Sequence, residues 1–224
     1  MLDLLGELLP YALTIAISPV PIIAVILMLM SPRPRALGAS YLVGWILGIV
    51  AAAGVFTALA GVLPEAGEST DPKPAVAIIQ IILGALLLLL AIKQWRSRPK
   101  KGDEPELPKW MQGIDSMKPG IGLGLGFLLA AVNPKNLLVA AAAGLAIGQQ
   151  EASGAATAAA LGVFTLIAAL TVLLPVLIFL FAPQKATQVL DQIREWLTAN
   201  NTAIMVVLFV VLGGQLLGKG LGGI

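Results

Sequence analysis

Asn133-Pro134-Lys135-Asn136 lies near the middle of an apolar stretch running from about Pro119 to Gly148. An ammonium group and two carboxamides at that depth are expensive in hydrocarbon, and the proline breaks the helical hydrogen-bond ladder. A second break, Ser18-Pro19-Val20-Pro21, interrupts the run from Leu4 to Met30. The half-helix that begins after each break presents unpaired N–H groups and a partial positive charge, and Lys135 adds a full charge at the same level. The chemistry this suits is capture of an anion. Ser18, Asn133 and Asn136 serve as hydrogen-bond donors, while Pro19, Pro21 and Pro134 open the backbone. Irregular backbone at membrane depth is tolerated where it lines a cavity, and paired broken helices mark transporter binding sites. A simple kink is the competing reading for Pro19 alone and the default for Pro175.

Composition sets the solvent. The chain has 224 residues, 58% of them hydrophobic and 12% charged, with a mean hydropathy of +0.94. A soluble domain carries about 25% charged residues, so this is a polytopic membrane protein. Only 5% of residues are aromatic, which argues for helices over a barrel with aromatic girdles. There is no cysteine and no histidine, which excludes thiol chemistry and removes the commonest proton shuttle and metal ligand. We expect no Asp or Glu inside any of the six spans, so a carboxylate-built cation site is not expected either. We expect no metal, no cofactor and no enzymatic activity. The sequence pI of about 9.0 reflects loop lysines and arginines rather than nucleic-acid binding.

The elements that must position these residues are six spans, placed at about 4–30, 37–62, 75–95, 119–148, 154–182 and 200–221, since a bilayer core needs about 20 apolar residues. The first is not a cleavable signal peptide, because its leading charges are Asp3 and Glu7. Orientation follows from the basic residues. Arg33, Arg35, Lys93, Arg96, Arg98, Lys100, Lys101, Lys109, Lys118, Lys185 and Arg194 fall on one side. Only Lys73 and Lys219 fall on the other, beside Glu65, Glu68, Asp71 and Glu151. The positive-inside rule puts the first group in the cytoplasm and both termini outside, in a cytoplasmic (inner) membrane.

The fold expected is an all-α integral membrane protein of six transmembrane helices. They form two inverted three-helix repeats, with spans 1 and 4 broken near the midplane. Residues 1–95 form the first repeat, 96–118 a solvated cytoplasmic linker, and 119–224 the second repeat. Within the second, about 184–199 reads as a separate amphipathic helix. Val189, Ile193, Trp196 and Leu197 recur there at helical spacing, which places it in the cytoplasmic interface. Tyr41, Thr57, Gln80, Thr165 and Thr171 are secondary cavity candidates, each also able to serve as a plain interhelical hydrogen bonder. Paired glycines at Gly44/Gly48, Gly120/Gly124, Gly122/Gly126, Gly144/Gly148 and Gly214/Gly218 allow close packing within the chain or across a homodimer.

The two breaks on a three-plus-three arrangement resemble the lysine-exporter superfamily. Within it, Pro108-Lys109-Trp110-Met111 with Ile114-Asp115, then Asn133-Pro134-Lys135-Asn136-Leu137, resemble the GAP branch, as do Ser31-Pro32-Arg33, Arg35-Ala36-Leu37 and Gly44-Trp45. That branch includes glycolipid- and sulfolipid-addressing membrane proteins. The resemblance implies translocation of an anionic or glycosylated cell-envelope lipid, or its precursor, by alternating access. Membrane lipids would then be substrate or environment, and envelope-lipid synthesis or export machinery a partner. Two other functions stay open: export of a small carboxylated metabolite such as an amino acid, and an accessory role that recruits lipid-synthesis machinery through the linker. Span 1 reads Ser-Pro-Val-Pro where amino-acid exporters of the superfamily show Pro-Gly-Pro.

Overall fold

The computed structural model describes residues 2–60, 74–98, 109–150 and 153–223. The loop charges Glu65, Glu68, Asp71, Lys73, Lys100, Lys101 and Glu151 lie outside the described residues, as do Pro99, Pro105 and Pro108 of the linker.

Every regular element among the described residues is helical: α1 (Leu2–Ala16), α2 (Pro19–Leu29), α3 (Pro34–Ala60), α4 (Pro74–Arg96), a 3-10 helix (Lys109–Ser116), α5 (Pro119–Ala131), α6 (Pro134–Gly148), α7 (Gly154–Phe181) and α8 (Pro183–Leu221). Six of these helices begin on a proline. That position suits it, because the first N–H of a helix has no partner to lose and the fixed φ is already helical. Four helices, α3, α4, α7 and α8, are long and apolar enough to cross a membrane alone. The pairs α1–α2 and α5–α6 bend by 53° and 60° at their breaks, and counting each pair as one span gives up to six. Bends of this size need a cause such as proline, and Pro19 and Pro134 supply it.

The packing exchanges partners between the two halves. α3 lies against α5 and α6, α1 lies against α7, and α4 pairs with α8. Glycine sets the distances. A Cβ on Gly48 would stand 2.6 Å from the Ala130 Cβ and 2.7 Å from the Phe127 carbonyl oxygen. One on Gly144 would meet the Ala53 oxygen at 2.6 Å, and one on Gly220 the Ala77 oxygen at 2.7 Å. Lipid supplies no hydrophobic drive between helices, so such backbone-to-backbone approach carries much of the association. The buried interior holds Tyr11, Tyr41, Trp45 and Phe164, while Leu47, Val55, Leu89, Val207 and Val211 are exposed on the outer faces. Of the glycine pairs, Gly120/Gly124 and Gly214/Gly218 have nothing within 4 Å.

Three expectations are corrected. The stretch 184–199 is helical but not a helix of its own, because α8 runs unbroken for 39 residues through it and on to Leu221. Polar side chains where the two would part bond back along the helix: Thr198 Oγ1 donates to the Arg194 oxygen at 2.8 Å, and Asn200 Nδ2 to the Trp196 oxygen at 2.8 Å. The linker is not wholly solvated either. Its 3-10 helix packs on α2, with Met111 and Ile114 buried. Finally, one carboxylate does lie within the first span. Glu7 accepts from Lys219 Nζ at 2.7 Å, joining α1 to the far end of α8.

Candidate functional site

α1 ends where its donors run out. Ile17 N–H still donates to the Leu13 oxygen at 2.8 Å, but Pro19 has no N–H for the next turn. The last carbonyls of α1 therefore need partners from elsewhere. Two come from the second half of the chain. Lys135 Nζ donates to the Thr14 oxygen at 2.6 Å, and the Thr171 hydroxyl donates to the Ala16 oxygen. The Thr14 hydroxyl donates back to Pro10, at 2.8 Å.

The second break is built alike. Val132 and Asn133 N–H both donate to the Leu128 oxygen, at 2.9 and 3.1 Å. Asn136 Nδ2 donates to the Leu129 oxygen at 2.8 Å, closing α5 from the first turn of α6. Asn133 caps α6, its Oδ1 accepting from Lys135 N–H at 3.1 Å.

The half-helix N-termini offer less than the sequence led us to expect. In α2 two of the first three residues are prolines, and Ile22 N–H donates to Ser18, which leaves Val20. In α6 the proline, the cap and the Leu137 N–H bond to Asn133 leave Asn136. Lys135 also points differently. Its ammonium meets the carbonyl end of α1, the negative pole of that helix, rather than standing free beside the α6 amides.

An ammonium has three donors, and one of them is spent on Thr14. Lys135 is only 4% exposed, yet it lines a cavity of about 230 Å³ together with Lys93, Gln94, Asn133 and Phe209. No carboxylate lines this cavity among the described residues, so its field favours an anion. A larger groove of about 760 Å³ lies between α7 and α8. It runs from Thr171 and Ile22 at the first break to Trp196, and its lining is almost wholly apolar.

The other candidates divide. Ser18 is buried at the first break and makes no capping bond through its side chain. Tyr41 meets the same break, donating from its hydroxyl to the Pro21 oxygen at 3.2 Å and stacking on Trp45. Thr171 joins it there. Thr165 is buried without a hydrogen-bond partner among the described residues, and Thr57 bonds to Ala53 of its own helix. Gln80 sits near the opposite end of α4 from Lys93. Sequence reasoning missed the Thr14 carbonyl, because a backbone acceptor leaves no residue-type signal. It also missed Lys93, which was counted for topology alone.

Six potential crossings, two of them broken and bridged to each other by a buried lysine, define a polytopic helical membrane protein with an internal polar junction. The chain belongs to the family described as Sap, sulfolipid-1-addressing protein, whose model matches residues 8–222. Neither a curated protein nor a solved structure matches it significantly.

Proposed function

We propose that the chain translocates an anionic or glycosylated cell-envelope lipid, or its precursor, across the cytoplasmic membrane. The observation that carries this is the buried cation at the junction of two broken spans, in a family named for addressing a sulfolipid. Lys135 attracts the phosphate or sulfate, Asn133, Asn136 and Ser18 supply polar contacts, and the apolar α7–α8 groove accommodates chains. The exchanged packing of α3 on α5 and of α1 on α7 supports an inverted-repeat arrangement, in which one half rocks against the other. The loop charges orient both termini outward. The protein acts as a carrier, not as an enzyme.

The test is lipid movement in proteoliposomes carrying fluorescent phosphatidylglycerol. Wild-type protein is expected to move it and a folded Lys135→Ala variant to lose most of that rate. Full transport by the variant removes Lys135 from the mechanism. The small volume of the lysine cavity favours a second reading, export of a small carboxylated metabolite. Accumulation of a labelled amino acid in the same vesicles, without lipid movement, selects it.

A further inference from the structure

The last two turns of α4 separate two hollows. The outer one, about 470 Å³, is lined by Leu89, Ile92, Lys93, Arg96 and Ser97. Leu89 and Ile92 are 60% and 50% exposed, so this hollow faces the surrounding lipid. The inner one is the 230 Å³ cavity of Lys135. Lys93 and Ser97 line both. No acidic side chain lines either hollow among the described residues.

Three cations thus follow one another from the lipid-facing surface inward: Arg96, Lys93 and Lys135. Lys93 and Arg96 stand three residues apart on one helix and share a face. Lys93 has a long, flexible stem, so its ammonium can reach either hollow while the stem stays on apolar surface. An anionic group leaving the headgroup layer loses hydration, and it does so at tolerable cost only where charged donors replace water step by step. Across the inner hollow stand Met205 and Phe209 of α8, and an unbranched thioether repacks readily around a passing group.

We propose that this end of α4 is a lateral portal, with Lys93 as its threshold cation, through which the phosphate or sulfate headgroup of a membrane lipid reaches Lys135. The proposal rests on the lipid-transport reading and adds the side of approach, the ligand's headgroup chemistry and the residue that selects it.

The experiment measures binding, separately from transport. The purified full-length chain is titrated with phosphatidylglycerol, phosphatidylcholine and inorganic sulfate, and occupancy is read by native mass spectrometry. Phosphatidylglycerol is expected to bind in preference to phosphatidylcholine, with affinity falling about tenfold in Lys93→Gln. Lys219→Gln, ten residues beyond Phe209 on α8 and lining neither hollow, keeps wild-type affinity. Lys93 is exposed, so Lys93→Gln is expected to unfold thermally with the wild type, which confirms that it is folded. Equal affinity in Lys93→Gln and wild type overturns the portal. Saturable, Lys93-dependent sulfate binding with no preference between the two lipids also overturns it, in favour of a free-anion site. The two readings fail separately. Lys93-dependent lipid binding without lipid movement sinks transport and keeps the site, whereas movement with Lys93-independent binding does the reverse.

Discussion

Lys135 of α6 donates from its ammonium nitrogen to the carbonyl oxygen of Thr14 in α1, across 2.6 Å and a sequence separation of 121 residues. Each broken span leaves backbone groups without partners, and a side chain from the first turn after one break supplies a donor at the other. The bond also fixes the two breaks against each other. Any rocking of one half past the other must part Lys135 from Thr14 or carry both along.

Replacing Lys135 by Met keeps the stem and deletes the donor. The Thr14 carbonyl is then left buried and unpaired, at a cost of about 1–3 kcal/mol. The variant is expected to unfold at measurably lower denaturant than wild type, followed through the native tryptophans. Lys135→Arg retains a donor and falls between the two. Wild-type stability in Lys135→Met means the bond is not maintained in the membrane.

Thr171 does for Ala16 what Lys135 does for Thr14. Thr171→Val is nearly isosteric and removes only the hydroxyl, so a loss of about 1 kcal/mol is expected, with Thr171→Ser close to wild type. Equal stability of the valine and serine variants contradicts this assignment.

Gly48 and Gly218 give opposite expectations from similar local sequence. Alanine at Gly48 pushes a methyl group into Ala130 and the Phe127 carbonyl, costing about 1–3 kcal/mol. Alanine at Gly218 meets nothing within 4 Å and is expected to stay within about 0.5 kcal/mol of wild type. A large loss at Gly218, accompanied by a fall in molecular mass during light scattering, would instead place that face in a homodimer.

The Glu7–Lys219 pair is about two-thirds buried at each side chain, at 31% and 33% exposure. A double-mutant cycle with Glu7→Gln and Lys219→Gln is expected to give a coupling of about 0.2–1 kcal/mol, lowered by salt. Zero coupling at low salt would show that the two ends of the chain do not meet in solution.

Continuity of α8 is open to a direct check. Spin labels placed singly from 187 to 209 are expected to report accessibility with one unbroken helical period. A phase jump near Asn200 would restore a separate amphipathic helix.

The breaks were legible because proline acts locally. It lacks a donor wherever it stands, so Pro19 and Pro134 announced their bends before any packing was known. The family was legible for a related reason: Trp110-Met111, Ile114 and Asn133-Pro134-Lys135-Asn136 are uncommon residue choices for a linker and a span. What the sequence hid was partner choice. Thr198, Asn200 and Asn201 are residues that often end helices, yet two of them bond the preceding turn, and α8 passes through. Lys93 looked like one more basic residue at a span end, since only the tertiary fold turns that end of α4 toward Asn133. The half-helix amides looked available because the sequence shows neither the Asn133 cap nor the Ser18 carbonyl taking them up.

Parity follows from the bond between Glu7 and Lys219. With the start of the first helix beside the end of the last, an even number of crossings is the expectation. Reporters fused before α1 and after α8 will therefore read the same compartment, whichever compartment that is.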